Sequence, residues 1–189
     1  MVSFDEKNVY FLNKSTYVNL RWIGIFGQFI TINLVALVFK FEFNFILANI
    51  IVGLGTFTNI FLQYFYKQSQ LPNKTAFFYL SIDILQLSFL IYLTGGILNP
   101  FSIFLIIPSI FASTNLNIKS NLILIFITII SIVFLTIYHQ DLPSPLNNYK
   151  LSKYYYYSIP IGLLIALVFL NYFAFLFGKE NRIRKEALD

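Results

Sequence analysis

Thr94-Gly95-Gly96-Ile97-Leu98-Asn99-Pro100-Phe101-Ser102 places two glycines, an amide, a proline and an aromatic ring on one uncharged turn between two apolar stretches. Gly95 and Gly96 reach backbone angles that other residues avoid, and they let a ligand or a helix come close. Pro100 fixes the chain entering the second stretch and removes an N–H. Asn99 carries an amide that both donates and accepts. Phe101 offers a flat apolar face. A quinone head group needs a donor to its carbonyl oxygen, a planar wall and an apolar path for its tail. Asn99, Phe101 and the flank of the two stretches supply all three. The same residues also make a plain connection between helices, and their types alone leave both readings open.

A second set of polar residues lies inside an apolar run. Asp83 and Gln86 share a helical face with Leu87, Leu90 and Thr94. A carboxylate at that depth is costly in lipid, so Asp83 is expected to face other helices and to have a partner or a proton. Two roles fit: a site or proton-coupled switch, and interhelical hydrogen-bond glue. Gln28, Asn33, Asn59, Gln63 and Asn171 also stand in apolar runs and read singly as structural. Gly53 and Gly55 read as helix-packing positions.

Other chemistries are not indicated. The sequence has no cysteine and one histidine, His139, which excludes thiolate metal sites and disulfides within these residues and gives no metal cluster. His139, next to Gln140 and Asp141, reads as interfacial. There is no phosphate-binding glycine loop and no nucleophile elbow. The chain is expected not to be an enzyme, to hold no metal and to bind no nucleic acid. The net charge of +5 comes from residues that membrane topology explains.

The elements that carry these residues follow from composition. Of 189 residues, 58% are hydrophobic and only 11% charged, against about a quarter charged in soluble domains. A bilayer is the natural solvent for such a chain, and about 20 continuous apolar residues cross it as a helix. Six runs qualify: Trp22–Phe39, Phe45–Phe65, Phe77–Leu93, Phe101–Leu116, Asn121–Tyr138 and Tyr157–Phe177. The fourth is short and contains Pro108. The expected fold is all-α, a polytopic six-transmembrane-helix bundle.

Of the 13 Lys and Arg, only Lys40, Lys150 and Lys153 fall on one side. The others, Arg21 included, fall on the side of both termini. The positive-inside rule makes that side cytoplasmic. The turn then lies on the outer side, as do the tyrosines Tyr154–Tyr157, and Trp22 anchors the first span on the inner side. Residues 1–21 form a cytoplasmic segment, 22–177 the transmembrane domain, and 178–189 the start of a cytoplasmic helix whose stripe includes Ile183, Ala187 and Leu188.

The stretch Asp83 to Ala112, DILQLSFLIYLTGGILNPFSIFLIIPSIFA, resembles the membrane sensor half of the RegB/PrrB/ActS family of redox-responsive histidine kinases. That family carries a Gly-Gly-x-x-Asn-Pro-Phe heptad between its third and fourth spans, matched here by Gly95, Gly96, Asn99, Pro100 and Phe101. LRWIGIFGQ, Leu20 to Gln28, is similar to the family's first span. The resemblance implies ubiquinone as the sensed ligand at the heptad, an inner-membrane location and a homodimer. It also implies a kinase half that signals to a response regulator and would lie beyond Asp189. Two rivals remain: a six-span substrate-binding subunit of a membrane transporter, and an assembly factor for a respiratory complex.

Overall fold

The computed structural model describes residues 10–143 and 152–186. Lys7, Lys150, Ala187 and Leu188, expected to have topological or helical roles, lie outside the described residues. A short antiparallel pair, β1 (Phe11–Asn13) and β2 (Gln70–Pro72), sets Leu12 opposite Leu71. The helices are α1 (Lys14–Leu37), α2 (Phe45–Phe65), α3 (Asn73–Leu93), α4 (Ile107–Asn115), α5 (Ile118–Ile137) and α6 (Lys153–Glu186). Two 3₁₀ segments, Gly96–Leu98 and Pro100–Ile106, lie between α3 and α4. Among the described residues five helices are long and apolar enough to cross a membrane; the Pro100–Asn115 segment is apolar but shorter.

Local chemistry sets the helix ends. Asn13, Asn44 and Asn117 each accept a hydrogen bond at a helix N-terminus, from the N–H groups of Thr16, Leu47 and Ser120. Lys14 donates from Nζ to the carbonyls of Gln63 and Tyr66, at 3.0 and 2.5 Å, and so closes the C-terminal end of α2. The β pair, Lys14 and the start of α3 lie at one end of the bundle, the tail end. The 94–102 turn lies at the other, the turn end.

Two expectations change, and a third becomes more definite. The first helix begins at Lys14, eight residues before the expected start of its span at Trp22. It reaches back because Asn13 caps it and because Tyr17 and Arg21 find partners on other helices. The fourth run does not form one helix over Phe101–Leu116. Pro108 has no N–H for the carbonyl of Phe104, and that carbonyl accepts from Ile107 instead, in 3₁₀ fashion. The α-helix proper starts only at Ile107. The sixth helix continues without a break beyond Phe177 to Glu186, so the tail is its direct extension.

The larger core lies mainly among α3, α4, α5 and α6, where Leu80, Ile84, Leu105, Leu124, Ile132 and Leu167 are buried, and reaches Val18 of α1, Leu62 of α2 and Leu12 and Leu71 of the β pair. A smaller core joins α1, α2 and α3 through Ile25, Ile32, Ala48, Val52 and Leu90. The outer faces are apolar too: Phe26, Phe57, Phe126 and Val168 are all exposed. A bilayer accounts for a surface of that kind. Gly55 lies against the side-chain amide of Gln86, whereas Gly53 is exposed with nothing near it, so only one of the two glycines packs.

Helix α4 is tied to α5 and α6 by buried polar groups. Ser113 Oγ lies 3.0 Å from Asn121 Oδ1 and 2.5 Å from Asn171 Oδ1, and Asn171 Nδ2 donates to Ser109 Oγ at 2.9 Å. These four side chains are buried. Asn171→Leu removes one partner from each serine, leaving Ser113 on Asn121 and Ser109 on the Ile106 carbonyl, and should lower bundle stability by about 1 kcal/mol. Unfolding in mixed micelles measures this; an unchanged midpoint would mean that the remaining serine bonds are enough to hold α4.

Candidate functional site

The turn is built from its own side chains. Helix α3 ends at Thr94, and Gly95 and Gly96 take φ values of +106° and +59°, a left-handed region that penalises any side chain. Asn99 accepts at Oδ1 from the Phe101 N–H at 2.9 Å and donates from Nδ2 to Thr94 Oγ1 at 2.6 Å and to the Thr94 carbonyl at 3.2 Å. Its amide therefore caps the second 3₁₀ segment and locks it to the end of α3. Both amide protons are engaged within the turn; one lone pair on Oδ1 stays free. Pro100 opens the segment at its first position. Phe101 is 40% exposed and stacks on Phe104, with ring centroids 5.9 Å apart.

The glycines are covered by the chain itself. A Cβ on Gly96 would lie 2.4 Å from Cβ and Cγ of His139, and one on Gly95 would lie 2.6 Å from Leu142. The Gln140 N–H donates to the Tyr92 carbonyl at 3.0 Å. The segment after α5 thus lies across the glycines, and the apolar flank of Phe101, Ile103 and Phe104 is the open side. His139, read from the sequence as merely interfacial, is a packing partner of the turn.

Asp83 sits elsewhere, ten residues before the end of α3, about 15 Å along the helix. Its Oδ1 lies 2.9 Å from both Nε and Nη2 of Arg21, and its Oδ2 accepts from the Tyr17 hydroxyl at 2.5 Å. Arg21 also donates to Thr58 Oγ1 at 2.9 Å and to Asn59 Oδ1 at 3.3 Å, and it lies against the Tyr17 and Tyr79 rings. The cluster links α1, α2 and α3. Arg21 is therefore no flanking loop charge: it is a buried residue of α1. Trp22, one residue on, donates to Gln63 Oε1 at 2.9 Å. Gln86 does not join Asp83; it donates to Gln28 at 3.1 Å. Among the described residues no buried side-chain nitrogen or oxygen lacks a hydrogen-bond partner. The cluster as built is closed, which favours the glue reading for Asp83.

Tyr17 and Arg21 were missed from sequence because they precede the apolar run. Their signal was spacing: Tyr17, Arg21 and Gln28 share one helical face, and a buried carboxylate needs a cation.

The turn and the tail are joined through α4. That helix continues the second 3₁₀ segment, holds α6 at Asn171, and meets it again where a Cβ on Gly178 would lie 2.8 Å from backbone atoms of Thr114. Arg182 Nη1 donates to the Thr114 carbonyl at 2.9 Å, and its guanidinium lies over the Tyr10 ring.

Comparison with known proteins agrees with this architecture. The chain is similar to a protein named sensor histidine kinase RegB of Cereibacter sphaeroides, with 26% identity over 175 residues. The aligned region is 92% of this chain but 38% of that protein, so the chain spans well under half the length of this relative. No solved structure matches. The profile of the PilS-like transmembrane domain, a six-span family, matches residues 23–182. The resemblance read from the heptad and the flanking stretches therefore holds, and this all-α, multi-pass membrane chain belongs to the PilS-like transmembrane domain family.

Proposed function

We propose that the chain is the membrane-embedded sensor module of a two-component histidine kinase, and that the 94–102 turn is where it takes up a quinone, with ubiquinone the ligand its resemblance implies. The observation that carries the reading is the turn itself in a chain similar to a sensor histidine kinase over most of its length. Exposed aromatic rings, Phe101 and Phe104, flank a hydrogen-bonded Asn99 beside an apolar face. The family membership favours this reading over the transporter subunit and the assembly factor. The bundle lies in the bacterial inner membrane with both ends in the cytoplasm. It acts as a homodimer whose kinase half passes phosphate to a response regulator.

The site works by stacking and by one hydrogen bond. The quinone ring packs on Phe101, and its tail lies along Ile103 and Phe104. Gly95 and Gly96 hold the turn's path, and Pro100 fixes the direction of the second 3₁₀ segment. Asn99 has no amide proton to spare for a carbonyl oxygen, contrary to the donor role the sequence suggested, unless it leaves Thr94. Its free lone pair accepts a hydroxyl. Reduced and oxidised head groups therefore make different demands on the Asn99–Thr94 lock. A ligand shifts a two-state element only through such a difference, and tenfold requires about 1.4 kcal/mol. Through α4, the turn's state reaches α6 and the tail.

Ubiquinone binding to the purified chain in lipid nanodiscs tests the reading. Saturable binding is expected, weakened roughly tenfold by Phe101→Ala, consistent with loss of about 1–1.5 kcal/mol of aromatic stacking. Asn99→Ala should narrow any difference between reduced and oxidised forms. Equal, non-saturable partitioning into wild type and Phe101→Ala would remove the quinone from the turn.

A further inference from the structure

We infer that two copies of the chain meet through α1, on the face that carries Gly24, Gly27 and Thr31, with Gln28 at its edge. The inference rests on the sensor reading for its homodimer and adds where the two copies touch. Among the described residues, α1 is the least covered of the five long helices: 11% of its most apolar stretch is buried, against at least 28% in each of the others. Leu20, Gly24, Gly27 and Thr31 follow one another at helical spacing, and the first three are exposed. A Cβ on Gly24 or Gly27 would have nothing within 4 Å, whereas Gly55 and Gly178 each lie against another helix of the same chain. Glycine weakens a helix interior. Here the pair leaves room for a second backbone to approach from outside the protomer.

The amides beside that face set the chemistry of what covers it. Gln86 Nε2 donates to Gln28 Oε1 at 3.1 Å, and among the described residues that is the one hydrogen bond of either side chain. Three N–H protons and the Gln86 oxygen stay unspent. Both side chains are half-buried rather than sealed in a core. Gln28 stands about 21 Å along a helix about 36 Å long, near mid-bilayer and away from water and lipid head groups. A hydrocarbon tail cannot satisfy an amide, so this face favours another protein over lipid. An amide both donates and accepts, and is therefore its own complement. Under a two-fold axis along the membrane normal, Gln28 meets Gln28 of the second copy, while Gly24 and Gly27 bring the two backbones together. The same axis keeps both α6 tails on one side, as a joint kinase half requires.

The test uses the full chain in liposomes of defined lipid. The sequence has no cysteine, so single engineered cysteines report contacts without background. Leu20→Cys and Thr31→Cys are expected to cross-link between copies much faster than Phe26→Cys, on the far side of α1, or Ile165→Cys, on the open face of α6, because a disulfide needs Cα atoms within about 7 Å. Gly24→Leu combined with Gly27→Leu should leave the protomer folded, since neither side chain meets anything in its own chain, and should weaken dimerisation by roughly tenfold or more. Gln28→Leu, which removes two amides from each dimer, should weaken it by roughly tenfold. Dimers that survive these variants and cross-link through Ile165→Cys instead would overturn the inference and leave the homodimer standing. A chain that stays monomeric would overturn both, and would leave the α1 face to a different membrane protein or to a small lipophilic ligand.

Discussion

Asp83→Ala is expected to destabilise the bundle by about 3–5 kcal/mol, the usual cost of leaving one half of a buried ion pair behind. The stranded partner is Arg21, whose side chain is 5% exposed and whose Nε and Nη2 both lie on Asp83. Thr58 and Asn59 remain to it, but neither carries charge. Single interhelical hydrogen bonds between neutral groups average nearer 0.6 kcal/mol, so the guanidinium sets the magnitude. Removing both charges should cost much less: Arg21→Leu with Asp83→Leu is expected to recover most of the loss, because well-packed apolar side chains replace buried ion pairs with little penalty. Tyr17→Phe, which takes one hydrogen bond from Oδ2, should cost about 1 kcal/mol. Unfolding in mixed detergent and SDS micelles separates these cases. A loss under 1 kcal/mol for Asp83→Ala would show that water reaches the cluster and that it is no anchor.

Gly178→Leu should separate α6 from α4 at the tail end. The new Cβ would meet Cα, carbonyl oxygen and carbonyl carbon of Thr114 at 2.8–3.2 Å, and backbone cannot rotate aside as a side chain can. Overpacking of this kind costs about 1–3 kcal/mol. The Arg182 bond to the same carbonyl should be lost with it, adding about 1 kcal/mol. The sequence has no cysteine, so spin labels on engineered cysteines in the tail of α6 and in α4 would report the separation without background. An increase of a few ångströms is expected, with the turn end unchanged. An unmoved tail would show that α6 absorbs the side chain by rotating, and that α4 does not fix its position.

The sequence read some elements to the residue and others poorly. The second span, expected at Phe45–Phe65, is α2 with those bounds, because Asn44 caps it and the apolar run ends where the polar residues Lys67 and Gln68 begin. The first span was placed late because hydropathy scores Tyr17 and Arg21 as polar, while their partners Thr58, Asn59 and Asp83 lie 37–66 residues away. No local pattern holds that information. The need of Asp83 for a partner was legible; which residue meets it was not. At the turn, the glycines were legible as places of close approach, but what approaches is His139 and Leu142, from a segment more than 40 residues on. Asn99 was legible as a residue with an amide to offer. Its two protons go to Thr94, five residues back, a contact that exists only once Gly95 and Gly96 fold the chain on itself.

The second 3₁₀ segment changes how far a short stretch can reach. A 3₁₀ helix rises about 2.0 Å per residue and an α-helix about 1.5 Å. Seven residues in the first form and nine in the second together extend about 27–28 Å, against about 24 Å if all sixteen were α-helical. The extra length brings Pro100–Asn115 close to the thickness of a bilayer's hydrocarbon core, about 30 Å. The same stretch wound wholly as α-helix would be about 3.5 Å shorter, and Pro108, which has no N–H to offer the Phe104 carbonyl, holds it at the longer length.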